Sequence, residues 1–439
     1  MDKNEGVAGL HYYPLLAKGA KAARPRLATS ETLALYVHIP FCDKRCYFCE
    51  FAVVAGKSVT ASLVDDYLDA LREEMRSFLE AAEHQPKIDV IQFGGGTPTS
   101  LSARALGKLL AFIFDEFDCS GLKEIVVEGF PNSITEDRIA VLEEVPNLKL
   151  NIGVQSFHPE CLNSVGREHG AMAEAAISRA VASKIGSVGV DLIFGLPFST
   201  PETVRSDIEK ACALGAEHCA LYPLWIYEQT ALESQVRSGK VALPDRDVQQ
   251  EQLFDGGAAL ASLGHSRYTA FHYSRSEGAR HRYGLWQMLG RDWVGFGMSA
   301  MSHLNGDIFF NDRNIRSYID KIKAGVTATM ESSRLSAAEH MAFVFLYGLR
   351  LEKYSTWLFS DRFGVTVDDI FGVKLRHLEE RGLLTLADGT IALTLPGIMA
   401  LSAIENYVND LCGLPDVQDC VVLTGHADAV PPRPVSVLH

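Results

Sequence analysis

Between residues 33 and 222 the sequence changes period again and again: short apolar runs alternate with stretches that repeat at helical spacing. Residues 33–39, 88–93, 124–127, 148–154, 188–194 and 218–222 read as strands; 60–84, 102–117, 135–144, 171–184 and 201–214 read as helices. Apolar runs this short, set between helices, are what a parallel sheet requires, because crossover helices bury each strand on both faces. The pattern predicts an α/β fold, either a doubly wound sheet or a partial barrel. In both, functional groups stand at the carboxyl ends of the strands.

Each of the first five strands brings one special group at comparable depth. Cys42, Cys46 and Cys49 follow the first, Gly94, Gly95 and Gly96 the second, and Glu128 the third; Gln155 ends the fourth and Asp191 lies within the fifth. The chain holds nine cysteines in 439 residues, and six of them are scattered. Scattered thiols in such a chain are small buried hydrophobes, whereas three within eight residues form a metal or redox site. Thiolates suit iron–sulfur clusters and zinc. A closed zinc site takes four ligands in paired spacings, and His38 is the one neighbouring candidate for a fourth. In a cubane, three cysteines leave one iron without a protein ligand, open to a substrate.

The remaining organisation is less regular. Residues 1–30 read as a basic arm, 31–244 as the core, 245–330 as an extension lining the site, 331–411 as a C-terminal domain and 412–439 as a tail. Within the C-terminal domain, Leu-Ala-Asp388-Gly389-Thr-Ile is a hairpin signal following helices, so a winged-helix-like unit is expected. The net charge of −14 opposes nucleic-acid binding. No apolar run is long enough to span a bilayer, and the N-terminus lacks a signal-peptide core, so a cytoplasmic protein without membrane partners is expected.

Cys42-x3-Cys46-x2-Cys49 after a first strand, with Phe48 before the last cysteine, resembles the radical S-adenosylmethionine (radical SAM) superfamily. Tyr36-Val-His-Ile-Pro-Phe narrows the resemblance to the HemN-like subgroup, named for oxygen-independent coproporphyrinogen III oxidase. Gly94-Gly-Gly-Thr97-Pro-Thr, Gly153-Val-Gln155-Ser-Phe, Gly166-Arg167, Val190-Asp191-Leu-Ile-Phe-Gly-Leu-Pro and Gly295-Phe-Gly occur in the same order over about residues 31–411. The resemblance implies a partial (β/α)6 barrel with a HemN-type C-terminal domain. It also implies a 4Fe–4S cluster on the three cysteines and a SAM molecule cleaved to a 5′-deoxyadenosyl radical, with flavodoxin or ferredoxin as electron donor.

It further implies residue roles. Tyr36, Phe48, Gly94, Gly95, Gly96 and Thr97 would border the cluster-bound nucleoside, with Glu128 near its amino group and Arg167 near its carboxylate. Gln155 and Asp191 would take the ribose hydroxyls. A second SAM would lie against Pro223, Arg282, Tyr283, Ala300 and Met301. Within the subgroup, coproporphyrinogen oxidases carry a further cysteine where this chain has Phe51. Haem-chaperone relatives carry His-Asn-x-x-Tyr-Trp where it reads His281-Arg-Tyr-Gly-Leu-Trp286. Cys49-Glu-Phe-Ala-Val-Val54 looks more like class C radical SAM methyltransferases and natural-product cyclopropanases. The expectation is therefore a transferase that moves a methyl or methylene group from the second SAM to an sp2 carbon of an aromatic or heteroaromatic natural-product intermediate. Tyr36, Glu228 and His281 are its candidate catalytic residues, with Tyr222 and Tyr227 as further bases. The alternative is tetrapyrrole chemistry: coproporphyrinogen oxidation, anaerobic haem degradation or haem delivery.

Overall fold

The computed structural model describes residues 31–168 and 170–409; the expected arm and the whole of the expected tail lie outside them. The core runs β1 (Thr32–Ile39), α1 (Ala61–Ala81), β2 (Lys87–Gly95), α2 (Ala103–Glu116), β3 (Glu124–Gly129), α3 (Glu136–Leu142), β4 (Leu148–Gln155), α4 (Pro159–Ser164), α5 (Gly170–Val181), β5 (Ser187–Phe194), α6 (Pro201–Ala213) and β6 (His218–Pro223). Local chemistry sets these boundaries. Thr60 caps α1 by accepting from Leu63 N, and Thr200 and Thr203 form a reciprocal cap before Pro201 at the start of α6.

The six strands are parallel and paired in chain order. Sequential order with crossovers of one hand keeps the helices on one face, so the sheet curls into a partial (β/α)6 barrel rather than a doubly wound sheet. After β6 come α7 (Ala231–Arg237), α8 (Arg246–Ser262), β7 (Ser266–Arg267), β8 (His272–Ser274), α9 (Arg282–Met288), β9 (Trp293–Phe296), β10 (Met301–Leu304), β11 (Asp307–Asn311), α10 (Ile315–Lys323) and β12 (Thr329–Arg334). Their strands extend both edges, giving the order β12-β11-β10-β9-β1-β2-β3-β4-β5-β6-β8-β7.

Side chains alternate across each strand, and one face of the barrel strands is polar in two layers. Near the carboxyl ends, Gln92 Nε2 donates to Glu128 Oε1 at 2.6 Å and Asn151 Nδ2 to Asp191 Oδ2 at 2.7 Å. Near the amino ends, Lys149 pairs with buried Glu124 at 2.7 Å and His218 stacks on His281 at 3.7 Å between ring centroids. The backbone N–H groups of Arg282 and Tyr283 donate to Glu124 Oε1 at 2.8 and 3.1 Å. The start of α9 therefore plugs the barrel floor.

The C-terminal region consists of α11 (Ala337–Gly348), β13 (Tyr354–Ser355), α12 (Thr356–Phe363), α13 (Val367–Glu380), β14 (Leu384–Ala387), β15 (Thr390–Leu393), α14 (Leu395–Met399) and α15 (Leu401–Asn409). The hairpin turns through Asp388 and Gly389, both at positive φ (49° and 70°), the mirror-type turn that Asp-Gly favours. Arg350 reaches back to Glu405 with two donors on one oxygen (2.9 and 2.7 Å), and its carbonyl accepts from Ala270 N at 2.7 Å. This ties the end of α11 to α15 and to the loop before β8.

Candidate metal and cofactor site

The loop after β1 is held from three sides. Phe41–Cys42 pairs with Val54–Ala55, Tyr47 N donates to Val165 O at 3.0 Å, and Leu232 N of α7 donates to Tyr47 O at 2.9 Å. Arg45 closes it by donating to the carbonyls of Cys49 and Phe51. The three cysteines project from this frame half-buried. Their sulfurs do not all lie within 4.8 Å of one another. A single tetrahedral zinc, at about 2.3 Å per sulfur, draws its thiolates to roughly 3.8 Å apart; a cubane, whose ligated irons occupy separate corners, needs the wider spread. His38 is used elsewhere: Nε2 faces Ala52 O at 3.3 Å and Nδ1 faces Tyr36 Oη at 3.1 Å. Burial lowers its pKa to about 4, so the ring is neutral. The donor set fits an iron–sulfur cluster and does not fit the zinc alternative.

Charge around the sulfurs supports the same reading. Arg167 Nε donates to Cys46 Sγ at 3.1 Å, and Nη1 to Gly153 O at 2.6 Å. The guanidinium carbon lies over the Phe130 ring at 4.6 Å and over the Phe48 ring at 5.7 Å from the centroids. Thr97 Oγ1 stands 3.4 Å from Cys42 Sγ. Burial pushes the Cys42 thiol up and the Cys49 thiol up to about 11. A bound metal would reverse that preference, since it takes the thiolate form.

The glycines are shaped by close approach. Gly96 N and Thr97 N donate to Ile39 O and Phe41 O at 2.8 and 2.9 Å, so this segment prolongs the β1–β2 pairing toward the cysteines. A Cβ on Gly96 would meet only backbone atoms, at 2.7–2.9 Å. Gly95 sits at φ +102°, where a side chain would collide with His38. A Cβ on Gly94 would press on the Glu128 carboxylate at 2.8 Å. Glu128 is raised to about 8 by burial and by Asp191, and Asp191 to about 6 by burial. Gln155 adopts φ +70° at a bulge in the β4–β5 pairing. A non-glycine residue in that region is strained and marks a constrained site.

The structure thus gathers Tyr36, the three cysteines, Phe48, Gly94–Gly96, Thr97, Glu128, Gln155, Arg167 and Asp191 around the carboxyl ends of β1–β5. The other expected site residues do not gather as one group. His281 stands at the barrel floor beside His218, at the opposite end of the strands, where burial and nearby Lys149 keep it well below the usual imidazole range. Its position follows from Glu124 holding the first N–H groups of α9, a contact that local sequence does not encode. Glu228 is exposed in the loop before α7. Pro223 lines a narrow crevice with Trp225, Phe271 and Met399, while Tyr283 lies 6.3 Å from the Tyr36 ring. Ala300 is buried in the turn between β9 and β10, where its N–H donates to Gly297 O, and Met301 begins β10 beside Gly295. Gln92 and Asn151, the partners of Glu128 and Asp191, are not singled out by the sequence, and His38, there a candidate zinc ligand, is instead the partner of Tyr36. Period-two alternation of neighbouring strands was the available signal.

The radical SAM superfamily model matches residues 36–211, and the HemN C-terminal domain model matches residues 335–400. The chain is 29% identical over 366 residues to heme chaperone HemW of Bacillus subtilis, covering 82% of this chain and 95% of that one. It is 30% identical over 300 residues to heme chaperone HemW of Mycobacterium tuberculosis, covering 68% and 76%. Its fold superposes on coproporphyrinogen III oxidase (HemN) from Escherichia coli with a TM-score of 0.74 at 24% identity, covering 88% and 92%. These relatives overturn the expectation of a class C methyltransferase or cyclopropanase acting on a natural-product intermediate: the curated ones are heme chaperones over most of their length. The methyltransferase likeness rests on Cys49–Val54 alone, a stretch of six residues in which Phe51 is 55% exposed. Among the described residues no helix is long and apolar enough to cross a membrane.

Proposed function

The chain belongs to the HemN-like radical SAM superfamily, and from that premise we propose that it is a haem-handling protein. In this reading it binds haem at the mouth of a barrel that also holds a 4Fe–4S cluster and one SAM. The observation that carries the proposal is the three-cysteine loop with Arg167 on Cys46, in a chain that shares its length with proteins named as heme chaperones.

Cys42, Cys46 and Cys49 would hold the cluster, leaving one iron for the amino and carboxylate groups of SAM. When bound, this pair supplies one-electron chemistry. The chain itself positions and excludes. Gly94–Gly96 let this backbone close on Glu128, His38 and the end of β1, Glu128 and Asp191 offer buried acceptors, and Gln155 is held toward the same space by its bulge. Arg167 donates to Cys46 Sγ and so fixes where that sulfur points.

Two aromatic side chains flank the mouth without burying themselves: Phe51 after the cysteine loop (55% exposed) and Phe198 after β5 (68% exposed, φ +67°). Flat apolar rings in water suit a flat apolar ligand, and we assign them to one face of the macrocycle. The exchange of the relatives' Asn for Arg282 leaves the floor intact, because Glu124 holds α9 through backbone N–H groups. Pro223, Tyr283, Ala300 and Met301 have no second SAM in this reading.

The test is an anaerobic haem titration of cluster-loaded protein. A stoichiometric Soret shift, weakened at least tenfold by Phe51→Ala with Phe198→Ala, is expected; no saturable shift would end the reading. Soret bleaching that consumes SAM and reductant would make haem a substrate rather than cargo.

A further inference from the structure

A second cluster of ligating side chains lies at the other end of the barrel. Cys212 is in the last turn of α6, Cys219 is the second residue of β6, and His265 follows α8. Parallel topology places all three at the amino ends of the strands, away from the cysteine loop. One ligating atom from each, the two Sγ atoms and a ring nitrogen, lies within 4.8 Å of the others, the one such trio among the described residues.

The arrangement is built rather than incidental. His265 Nε2 faces the carbonyl of Ala216 at 3.1 Å, so this nitrogen carries the proton and donates. Nδ1 is then left with its lone pair toward Cys212 Sγ, 3.8 Å away. Ligating histidines are oriented in just this manner, with the far nitrogen tied to a carbonyl. A tetrahedral zinc with sulfur at about 2.3 Å and nitrogen at about 2.05 Å spaces those two atoms about 3.6 Å apart, so the observed gap needs almost no adjustment. The backbone is equally fixed. Gly215 N donates to Cys212 O and Ala216 N to Ala211 O, closing the turn between α6 and β6, while His265 N donates to Leu260 O. Cys219 and His265 are buried, and Cys212 is half-buried and gives the trio its opening to solvent.

We propose that Cys212, Cys219 and His265 form a zinc site, with water from the Cys212 side as fourth ligand. Two thiolates balance the charge of the ion, and the mixed sulfur–imidazole set suits zinc. The ion clasps α6, β6 and the end of α8 together beneath the barrel. This site is independent of the cluster and of haem.

The test uses full-length cluster-loaded protein, with zinc and iron counted after dialysis against a weak chelator. One zinc per chain is expected, lost in Cys212→Ser and in His265→Gln, with iron content and SAM cleavage unchanged. Cobalt(II) in place of zinc should give thiolate charge-transfer bands and the intense visible bands of a tetrahedral site. Independently of any variant, zinc at ten times its dissociation constant should slow alkylation of Cys212 in the wild type about tenfold. Zinc retained by both variants, zinc absent from the wild type, or a Cys212–Cys219 disulfide in protein isolated without oxidant would each overturn the proposal.

Discussion

Replacing Gly96 by alanine tests the cradle at its tightest point. The added Cβ would stand 2.7 Å from Pro40 C, 2.8 Å from Ile39 O and 2.9 Å from Phe41 O. All three are backbone atoms, so no rotamer change relieves the clash, and the segment must leave the end of β1. That strains or breaks two hydrogen bonds, Gly96 N to Ile39 O and Thr97 N to Phe41 O, at about 0.5–1.5 kcal/mol each. Overpacking adds about 1–3 kcal/mol. The sum, about 2–6 kcal/mol, is a large share of the ~5–15 kcal/mol that stabilises a typical domain. Gly364→Ala is the control. It sits at φ +69° with nothing within 4 Å of a new Cβ, so it carries the backbone cost alone, about 1–2 kcal/mol. Urea midpoints of the cluster-free proteins compare the two. Equilibrium dialysis on cluster-loaded protein reads SAM affinity, expected to fall at least tenfold for Gly96→Ala because Thr97 is drawn off Cys42. If Gly96→Ala is no more destabilising than Gly364→Ala and binds SAM normally, the cradle is wrongly described.

Glu128 should make the cluster-free protein pH-sensitive. Its folded pKa of about 8 lies above the ordinary 4.5, so the stability it contributes when protonated is lost as pH rises from about 4.5 through 8. Allowing for solvent at the mouth, the loss is about 2–4 kcal/mol; Glu128→Gln should remove that part of the slope in denaturation series from pH 5 to 9. Gln155→Gly should relieve the strain at φ +70° and leave the urea midpoint equal or higher, while SAM affinity measured by dialysis falls. Arg350→Ala strands Glu405 and should cost about 3–5 kcal/mol, seen as a lower midpoint and faster proteolysis around α15; Arg350→Met with Glu405→Leu should recover most of it.

The barrel strands and helices were legible because each strand is an apolar run and each crossover helix is capped by residues such as Thr60 and Thr200. Residues 245–330 were not. α8 carries Gly256 and Gly257 in its middle, which reads as a break, yet Gly256 is where Leu221, Ile208 and Val204 close on the helix. The cysteine loop and the glycines declared themselves through spacing. His281 did not, since its place at the floor depends on Glu124, more than 150 residues earlier in the chain. The subfamily was misjudged for a related reason: six residues around an exposed Phe51 carry less information than a match spread over 300 residues.

Electron paramagnetic resonance of the dithionite-reduced, anaerobically reconstituted protein, with and without SAM, tests the central claim most directly. About four irons and four sulfides per chain are expected, with a reduced-cluster signal whose g-values move when SAM is added and which is lost in Cys46→Ala. A signal indifferent to SAM, or zinc in the place of iron at Cys42, Cys46 and Cys49, would contradict it.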